Sequence, residues 1–340
     1  MKASLPAPLW EATQALLDAA RRARRRAPRE RPDAARLRLQ RAVTAVVDVA
    51  RDLDETDPPQ RVRLAQLAFR RETRAVLSES WIMHRSLTKP RGLAGDHLLL
   101  DAFYTRRTST TVVGRFLDDF VLDCAAGRAV VERKRYVTRW IDERLAAQPT
   151  ALIADIACGP CRLESDVLSG PRAQRARFLA MDGDEEALAY AQRILDGDSR
   201  VQLWHENAIR IARDPYAAAP LAGADLLVSL GLFDYLPDRI AVRLLRVLAR
   251  SIRPGGEMLI GNFAADNPSR LFMEWFGDWP LIHRTEQEFL YLFEQAGLPC
   301  LDLAVEREAP GGSVLMVTAG TAAKGGRRGV SATLVAEAGV

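Results

Sequence analysis

Residues 151–188, ALIADIACGPCRLESDVLSGPRAQRARFLAMDGDEEAL, read as a strand, a tight loop, a helix, a second strand and then an acid. The run Leu152 to Ala157 is short and apolar, and Cys158-Gly159-Pro160 bends the chain where a strand cannot continue. A second apolar run, Phe178 to Met181, delivers Asp182 roughly 20 residues after the loop, where a carboxylate can receive both hydroxyls of a ribose. This order predicts a nucleotide-binding crossover unit with Asp182 as its ribose acceptor.

The loop itself narrows the nucleotide. A dinucleotide's pyrophosphate must touch backbone, so its loop carries glycine at three fixed places, GxGxxG. Here those places hold Ala157, Gly159 and Arg162, and Pro160 removes a backbone donor where phosphate would want one. S-adenosylmethionine carries no phosphate and needs only a sharp turn against which adenosine and a methionine tail can lie. The loop fits that ligand better. Cys158-Gly159-Pro160-Cys161 is also the tetrapeptide of thioredoxins, which set a thiolate at a helix start with a resolving thiol one turn on. Ala157 stands where that comparison wants tryptophan, and the chain continues as a ribose-acid crossover, which favours a plain turn. No second CxxC or paired histidine completes a zinc set, so no metal is expected.

Further along, Val201 to Trp204 reads as a third strand leading into His205-Glu206-Asn207-Ala208. Ala224 to Ser229 reads as a fourth, leading into LGLFDYLPD, and Met258 to Asn262 as a fifth. Ile240, Val242, Leu244, Leu245, Val247, Leu248 and Ile252 line one side of a helix that Pro254-Gly255-Gly256 ends. Alternating strands and helices predict a doubly wound parallel α/β sheet. Leu301 to Glu306, the turn APGGS and Val314 to Thr318 predict an antiparallel hairpin that closes it.

Residues 151–318 resemble class I S-adenosylmethionine-dependent methyltransferases through DIACGPC, AMDGDEEAL and RPGGEMLIGNF. More specifically, KPRGLAGD (89–96), DGDEEAL (182–188), SLGLFDYLPDR (229–239) and GNFAADNPSRLFMEWFGDWPLIHRTEQEF (261–289) resemble a bacterial family, the extracellular-factor 3-hydroxypalmitic acid methyl ester biosynthesis proteins. Leu93 departs from the tyrosine expected in the first phrase. The resemblance implies a Rossmann-like sheet with a closing hairpin, S-adenosylmethionine as cofactor, and O-methylation of the carboxylate of a small hydrophobic or hydroxy-fatty acid. Methylation of a hydroxyl or amine on a specialised metabolite and a non-catalytic scaffold stay open beside it.

On this reading Asp182 and Gly183 meet the ribose, Ala157 and Gly159 allow close approach, and Asp155 supports the loop or meets the methionine ammonium. Asn207 and Ala208 border the adenine, and Ser229 with Gly231 the methionine end. A carboxylate acceptor is already ionised at neutral pH and needs orientation, whereas an alcohol needs a base, and none is evident after the fourth strand. The phrase 261–289 follows the fifth strand and should cross the carboxyl ends of the sheet, where ligands bind. Arg284 and Arg270 are therefore the candidate carboxylate holders, His283 the candidate base, and Asn262, Trp275 and Trp279 candidate pocket walls. Arg91 and Asp96 are assigned to a helical wall of the same pocket.

The first half is helical in pattern. Leu9, Leu16, Leu17 and Ala20 share one face, Leu39, Val43, Val46, Val47 and Ala50 a second, and Leu64, Leu67, Ala68 and Arg71 to Leu77 a third. The expected division is a helical domain over 1–148 on the lid or substrate side, a cofactor domain over 149–320 and a flexible tail over 321–340. The arginine run from Arg21 to Arg31 invites a nucleic-acid reading. However, Lys+Arg total 48 against 44 acids, nearly all the basic residues are arginine, and no aromatic interleaves with the run to stack bases. The expected partner is a small-molecule acid rather than nucleic acid, with a homodimer left open. Four cysteines, no evident leader and no apolar run near about 18 residues predict a cytoplasmic chain without a membrane span.

Overall fold

The structure is a computed structural model that describes residues 5–26, 32–298, 301–309 and 312–321. Arg29, Arg31, Cys300, the Pro310-Gly311 part of the expected turn and the tail from 322 lie outside the described residues. Packing divides the chain into two compact units, 1–131 with 268–280 and 132–267 with 281–340. The first unit therefore ends earlier than position 148 and takes back a short piece of the phrase 261–289.

The second unit holds one seven-stranded sheet in the order β3-β2-β1-β4-β5-β7-β6. Its strands are β1 (Ala151–Ile156), β2 (Ala176–Asp182), β3 (Val201–His205), β4 (Ala224–Ser229), β5 (Ile252–Phe263), β6 (Leu301–Arg307) and β7 (Val314–Thr321). The first five run parallel, and β7 lies antiparallel between β5 and β6. This is the α/β arrangement of the class I methyltransferases. The central strands are continuous apolar runs because both sheet faces are covered, with Ile153, Ala154, Ile156, Leu226, Leu227 and Val228 all buried. The strand order reverses between β1 and β4, so a crevice opens there at the carboxyl ends, the usual ligand position in such sheets.

Strand β5 begins earlier than expected. Arg253-Pro254-Gly255-Gly256 is an irregular start to the strand, with a register shift against β4 between Ala224 and Leu226. Gly256 is required there, since a Cβ would lie 2.7 Å from the Asp225 carbonyl oxygen. Helices α8 (Arg162–Leu168), α9 (Glu185–Ile194), α10 (Ala208–Arg213), α11 (Asp238–Ser251) and α13 (Glu286–Gln295) flank the strands. The apolar stripe of α11, Ala241, Leu244, Leu245 and Leu248, is buried in the same core as Met258, Ile260 and Val317.

The first unit is helical: α1 (Ala7–Arg26), α2 (Pro32–Thr56), α3 (Pro59–Leu77), α4 (Trp81–Thr88), α5 (His97–Thr105), α6 (Val112–Asp123), the start of α7 (Ala125–Ala147), and α12 (Arg270–Gly277). The expected face of α3 is corrected. Leu64 and Leu67 are exposed, and the buried stripe is Val62, Ala65, Phe69, Thr73 and Val76, spaced by three and four. Phe69 meets the rings of Trp275 and Phe276 edge-on. No helix among the described residues is long and apolar enough to cross a membrane.

Candidate cofactor and acceptor site

The loop after β1 turns by placing alternate residues in the left-handed region: Ala157 (φ 64°), Gly159 (φ 57°) and Cys161 (φ 52°). The dinucleotide pattern put the third special position at Arg162; the backbone puts it at Cys161, the residue before α8. Two of the three are not glycine, at a cost of about 1–2 kcal/mol each. Hydrogen bonds hold the turn. The Cys158 N–H donates to the Met181 carbonyl at 3.0 Å, the Gly159 N–H to Asp182 Oδ2 at 2.9 Å, and the Cys161 N–H to the Cys158 carbonyl at 3.3 Å. Asp182 Oδ1 accepts from the Asp184 N–H at 2.9 Å. With Pro160 lacking a donor, every backbone N–H from 158 to 161 is engaged inside the chain, so the loop offers no nest for a pyrophosphate.

Beneath this loop lies a buried acid pair. Asp155 and Glu164 are 3% and 0% exposed and each acts on the other's charge, and both Glu164 oxygens are buried without a hydrogen-bond partner. Burial first, then the charge of Glu164, raises the Asp155 carboxyl well above its usual range, and burial pushes Glu164 up to about 7. Two like charges this close cannot both form in a buried place without a large cost, so the pair keeps a proton. The thiols are protonated as well. The hydrogen bond with Cys161, together with burial, raises Cys158 well above its usual value. Cys161 goes up to about 12, because burial and the two acids outweigh the opposing hydrogen bond from Cys158. A redox nucleophile wants the opposite shift. The sequence offered no third metal ligand for CxxC, yet the fold brings Glu164 to both thiols, all three ligand atoms lying within 4.8 Å of one another.

The other cofactor candidates also stand at the carboxyl ends of the strands. Ser229 Oγ donates to the Ile156 carbonyl at 2.9 Å, joining β4 to β1 at the crevice. Gly183 and Asn207 are exposed, Asn207 Oδ1 capping α10 through the Ile209 N–H at 2.8 Å with Ala208 buried behind it. His205 Nε2 lies 3.3 Å from the Gly183 carbonyl, on the rim.

The acceptor candidates are not brought together in the same way. Arg284 is 2% exposed, and all its N–H groups have acceptors of its own chain: Nε and Nη2 on Asp238, Nη1 on the Phe233 carbonyl and Asn262 Oδ1, Nη2 also on the Leu236 carbonyl. It is a clamp tying the turn after β4 to the end of β5, and the carboxylate-holding assignment is corrected accordingly. Asn262 completes that clamp, donating to the Phe263 and Ile282 carbonyls. His283 has both ring nitrogens engaged, Nε2 with Asn267 Nδ2 at 3.1 Å and Nδ1 with the Leu281 carbonyl at 3.2 Å, which leaves no ring nitrogen for an acceptor's proton. Arg270, Trp275 and Trp279 fall in the helical unit. There Arg270 pairs with Asp54 and Glu274, Trp275 is fully buried, and Trp279 lies 6.3 Å from the Phe103 ring. Asp96 caps α5 and pairs with Arg85 at 2.7 Å, and Arg91 is exposed between α4 and α5.

Two residues that the sequence reading passed over do stand at the carboxyl ends of β4 and β5. Asp234 lies in the short turn after β4, 2% exposed, its Oδ1 accepting the Phe263 N–H at 2.6 Å. Burial lifts its carboxyl up to about 7, against the pull of Arg133, that N–H and Arg284. Arg133 comes from α7 and is 4% exposed, with Nη1 3.7 Å from Asp234 Oδ2. Its signal was present: Ala126, Ala129, Val130, Val137, Trp140 and Ile141 form the buried stripe of α7, and position 133 falls on it. A charge on an apolar stripe asks for a reason.

No family model matches the sequence, and no curated protein matches it. Among solved structures, the chain is similar to a possible exported protein from Bordetella parapertussis, with TM-score 0.59 at 20% identity over 92% of this chain and 97% of that one. Weaker likenesses are an O-methyltransferase family protein from Burkholderia thailandensis (TM-score 0.42, 16% identity, 61% and 63% covered) and magnesium protoporphyrin IX methyltransferase from Synechocystis PCC 6803 with bound SAH (TM-score 0.41, 16% identity, 57% and 85% covered). At 20% identity, the likeness to the Bordetella parapertussis protein is one of fold alone.

Proposed function

We propose that the chain is an S-adenosylmethionine-dependent O-methyltransferase that esterifies the carboxylate of a small hydrophobic or hydroxy-fatty acid. The observation that carries the cofactor half is the closed loop under Asp182, whose backbone donors are all engaged, so a nucleoside without phosphates fits it and a dinucleotide does not. Asp182 at the end of β2 would take the ribose hydroxyls, Ala157 and Gly159 the close approach of the ligand, Gly183, Asn207 and Ala208 the adenine side, and Ser229 with Gly231 the methionine end. Asp155 would support the loop from below or meet the methionine ammonium. When bound, S-adenosylmethionine supplies an electrophilic methyl carbon on a sulfonium. What the chain must add is orientation of the acceptor oxygen and exclusion of water. The acid half rests on the resemblance in 261–289 and on the chemistry of an acceptor that needs no base.

One observation favours a second reading. Asp234 is a buried acid held near neutrality in the turn after β4, where a general base for a hydroxyl acceptor would stand. Calorimetric titration with S-adenosylhomocysteine tests the cofactor half. Binding by the wild type should weaken about tenfold to a hundredfold in Asp182→Asn and survive Cys158→Ser with Cys161→Ser. Loss of binding in the cysteine variant alone would point to the thiols instead. Asp234→Asn then separates the acceptors, because ester formation on an acid should persist while methylation of a hydroxyl should fall by about a hundredfold or more.

A further inference from the structure

We infer that Arg133 forms a carboxylate-binding site at the lip of the crevice between β1 and β4. The inference rests on the methyltransferase reading for its location and on the side chain for its chemistry. Arg133 is nine-tenths buried, and two of its nitrogens, Nε and Nη1, are buried without any hydrogen-bond partner. An arginine cannot discard its charge inside a protein, so orphaned guanidinium donors are costly unless something supplies acceptors. The neighbouring acids do not fill that need. Asp234 Oδ2 stands 3.7 Å from Nη1, beyond hydrogen-bonding distance, while Asp234 Oδ1 is engaged by the Phe263 N–H. Glu308 feels the charge of Arg133, but its two oxygens accept from the Ser313 and Val314 N–H groups. By contrast, Arg284, the other buried arginine of this cluster, is saturated.

The position also points to a ligand. The guanidinium carbon lies 5.8 Å from the centre of the Phe263 ring, at the end of β5. Nη2 lies 3.0 Å from where a Cβ on residue 231 would be. Gly231, two residues past the end of β4, therefore leaves room for the guanidinium tip just where strand ends meet ligands. A carboxylate matches a guanidinium in charge and planarity, and charge-assisted hydrogen bonds of this kind are the strong ones. Two molecules in this reaction class carry one: the amino-acid end of the cofactor and an acid acceptor.

Calorimetry on the full chain, with Arg133→Met and Arg133→Lys beside the wild type, separates them. S-adenosylhomocysteine is compared with 5′-methylthioadenosine, which keeps the nucleoside and thioether but has no carboxylate; decanoate is compared with methyl decanoate. If Arg133 holds the cofactor's carboxylate, Arg133→Met weakens S-adenosylhomocysteine about tenfold to a hundredfold and leaves 5′-methylthioadenosine unchanged. If it holds the acceptor's, S-adenosylhomocysteine is unchanged and decanoate loses its advantage over its ester, with partial recovery in Arg133→Lys. Gly231→Ala, which crowds Nη2 without removing the charge, should reproduce the same selective loss in a chain that folds normally. Equal affinities for every probe in wild type and variants would overturn the site. Failure of the wild type to bind either nucleoside would instead overturn the methyltransferase reading, and decanoate against its ester would still decide for or against Arg133.

Discussion

The loop at 157–161 and the segment 261–289 both looked like ligand-binding sequence, and they differ in what their side chains are left to do. In the loop, shape rests on the backbone: three left-handed residues and hydrogen bonds to Met181 and Asp182 set the turn. In 261–289, function was read from side-chain types, two arginines among aromatics. The fold distributes them over two compact units and engages Arg284 completely within its own chain. A motif whose meaning is a backbone path survives translation into structure better than one whose meaning is a free side chain. Availability depends on partners that are distant in sequence.

The largest expected effect would break that contrast at Arg284. Truncation to alanine leaves the Leu236 carbonyl and Asn262 Oδ1 without donors in a buried place, and the Phe233 carbonyl with the Leu236 N–H alone. The loss should be about 3–5 kcal/mol of stability, read by urea denaturation. A structural clamp predicts that Arg284→Lys recovers only part of it, because one ammonium cannot reach four acceptors. Normal stability in Arg284→Ala, with a raised KM for an acid alone, would return Arg284 to the acceptor.

A smaller effect tests the other charge in the same cluster. Asp234 is held up to about 7 by burial, so between about pH 4 and pH 7 the folded chain keeps a proton that the unfolded chain has released. Folding then takes up a proton, and stability falls as pH rises through that window and levels off above it. The contribution is on the order of 2–4 kcal/mol over the window. Because Asp155 and Glu164 act with the same sign, the readout is a difference: stability of Asp234→Asn minus wild type should grow from pH 5 to pH 7.5. A constant difference would mean that Asp234 is ionised throughout, paired with Arg133.

These two residues show where the sequence was legible and where it was not. Strand β4 was read to its ends, and β1 to within a residue, because a buried parallel strand is a continuous apolar run bounded by turn residues. The start of β5 was missed because Pro254-Gly255-Gly256 signals a stop in any local reading, and only pairing with β4 makes it an irregular strand. The place of Asp182 was legible because it ends a strand that is itself a readable apolar run. Glu164 was not, since its meeting with Asp155 and the two thiols depends on how α8 leaves the loop. Arg133 was half legible: its place on the stripe of α7 could be counted, but its orphaned nitrogens could not.

The smallest effect sharpens the claim that the loop works through backbone. Ala157 sits at φ 64°, a conformation that costs an L-residue about 1–2 kcal/mol and glycine almost nothing. Glycine raises the entropy of the unfolded chain, which offsets about 0.4–1 kcal/mol of that gain. Ala157→Gly should therefore stabilise the protein by about 1 kcal/mol or less, a rise in Tm of roughly 1–3 °C, with affinity for S-adenosylhomocysteine preserved. Ala157→Val forces a β-branched residue into the same region and should lower both. If valine is tolerated as well as glycine, the left-handed turn is not what positions the ligand, and the loop would stand no closer to function than the clamp around Arg284.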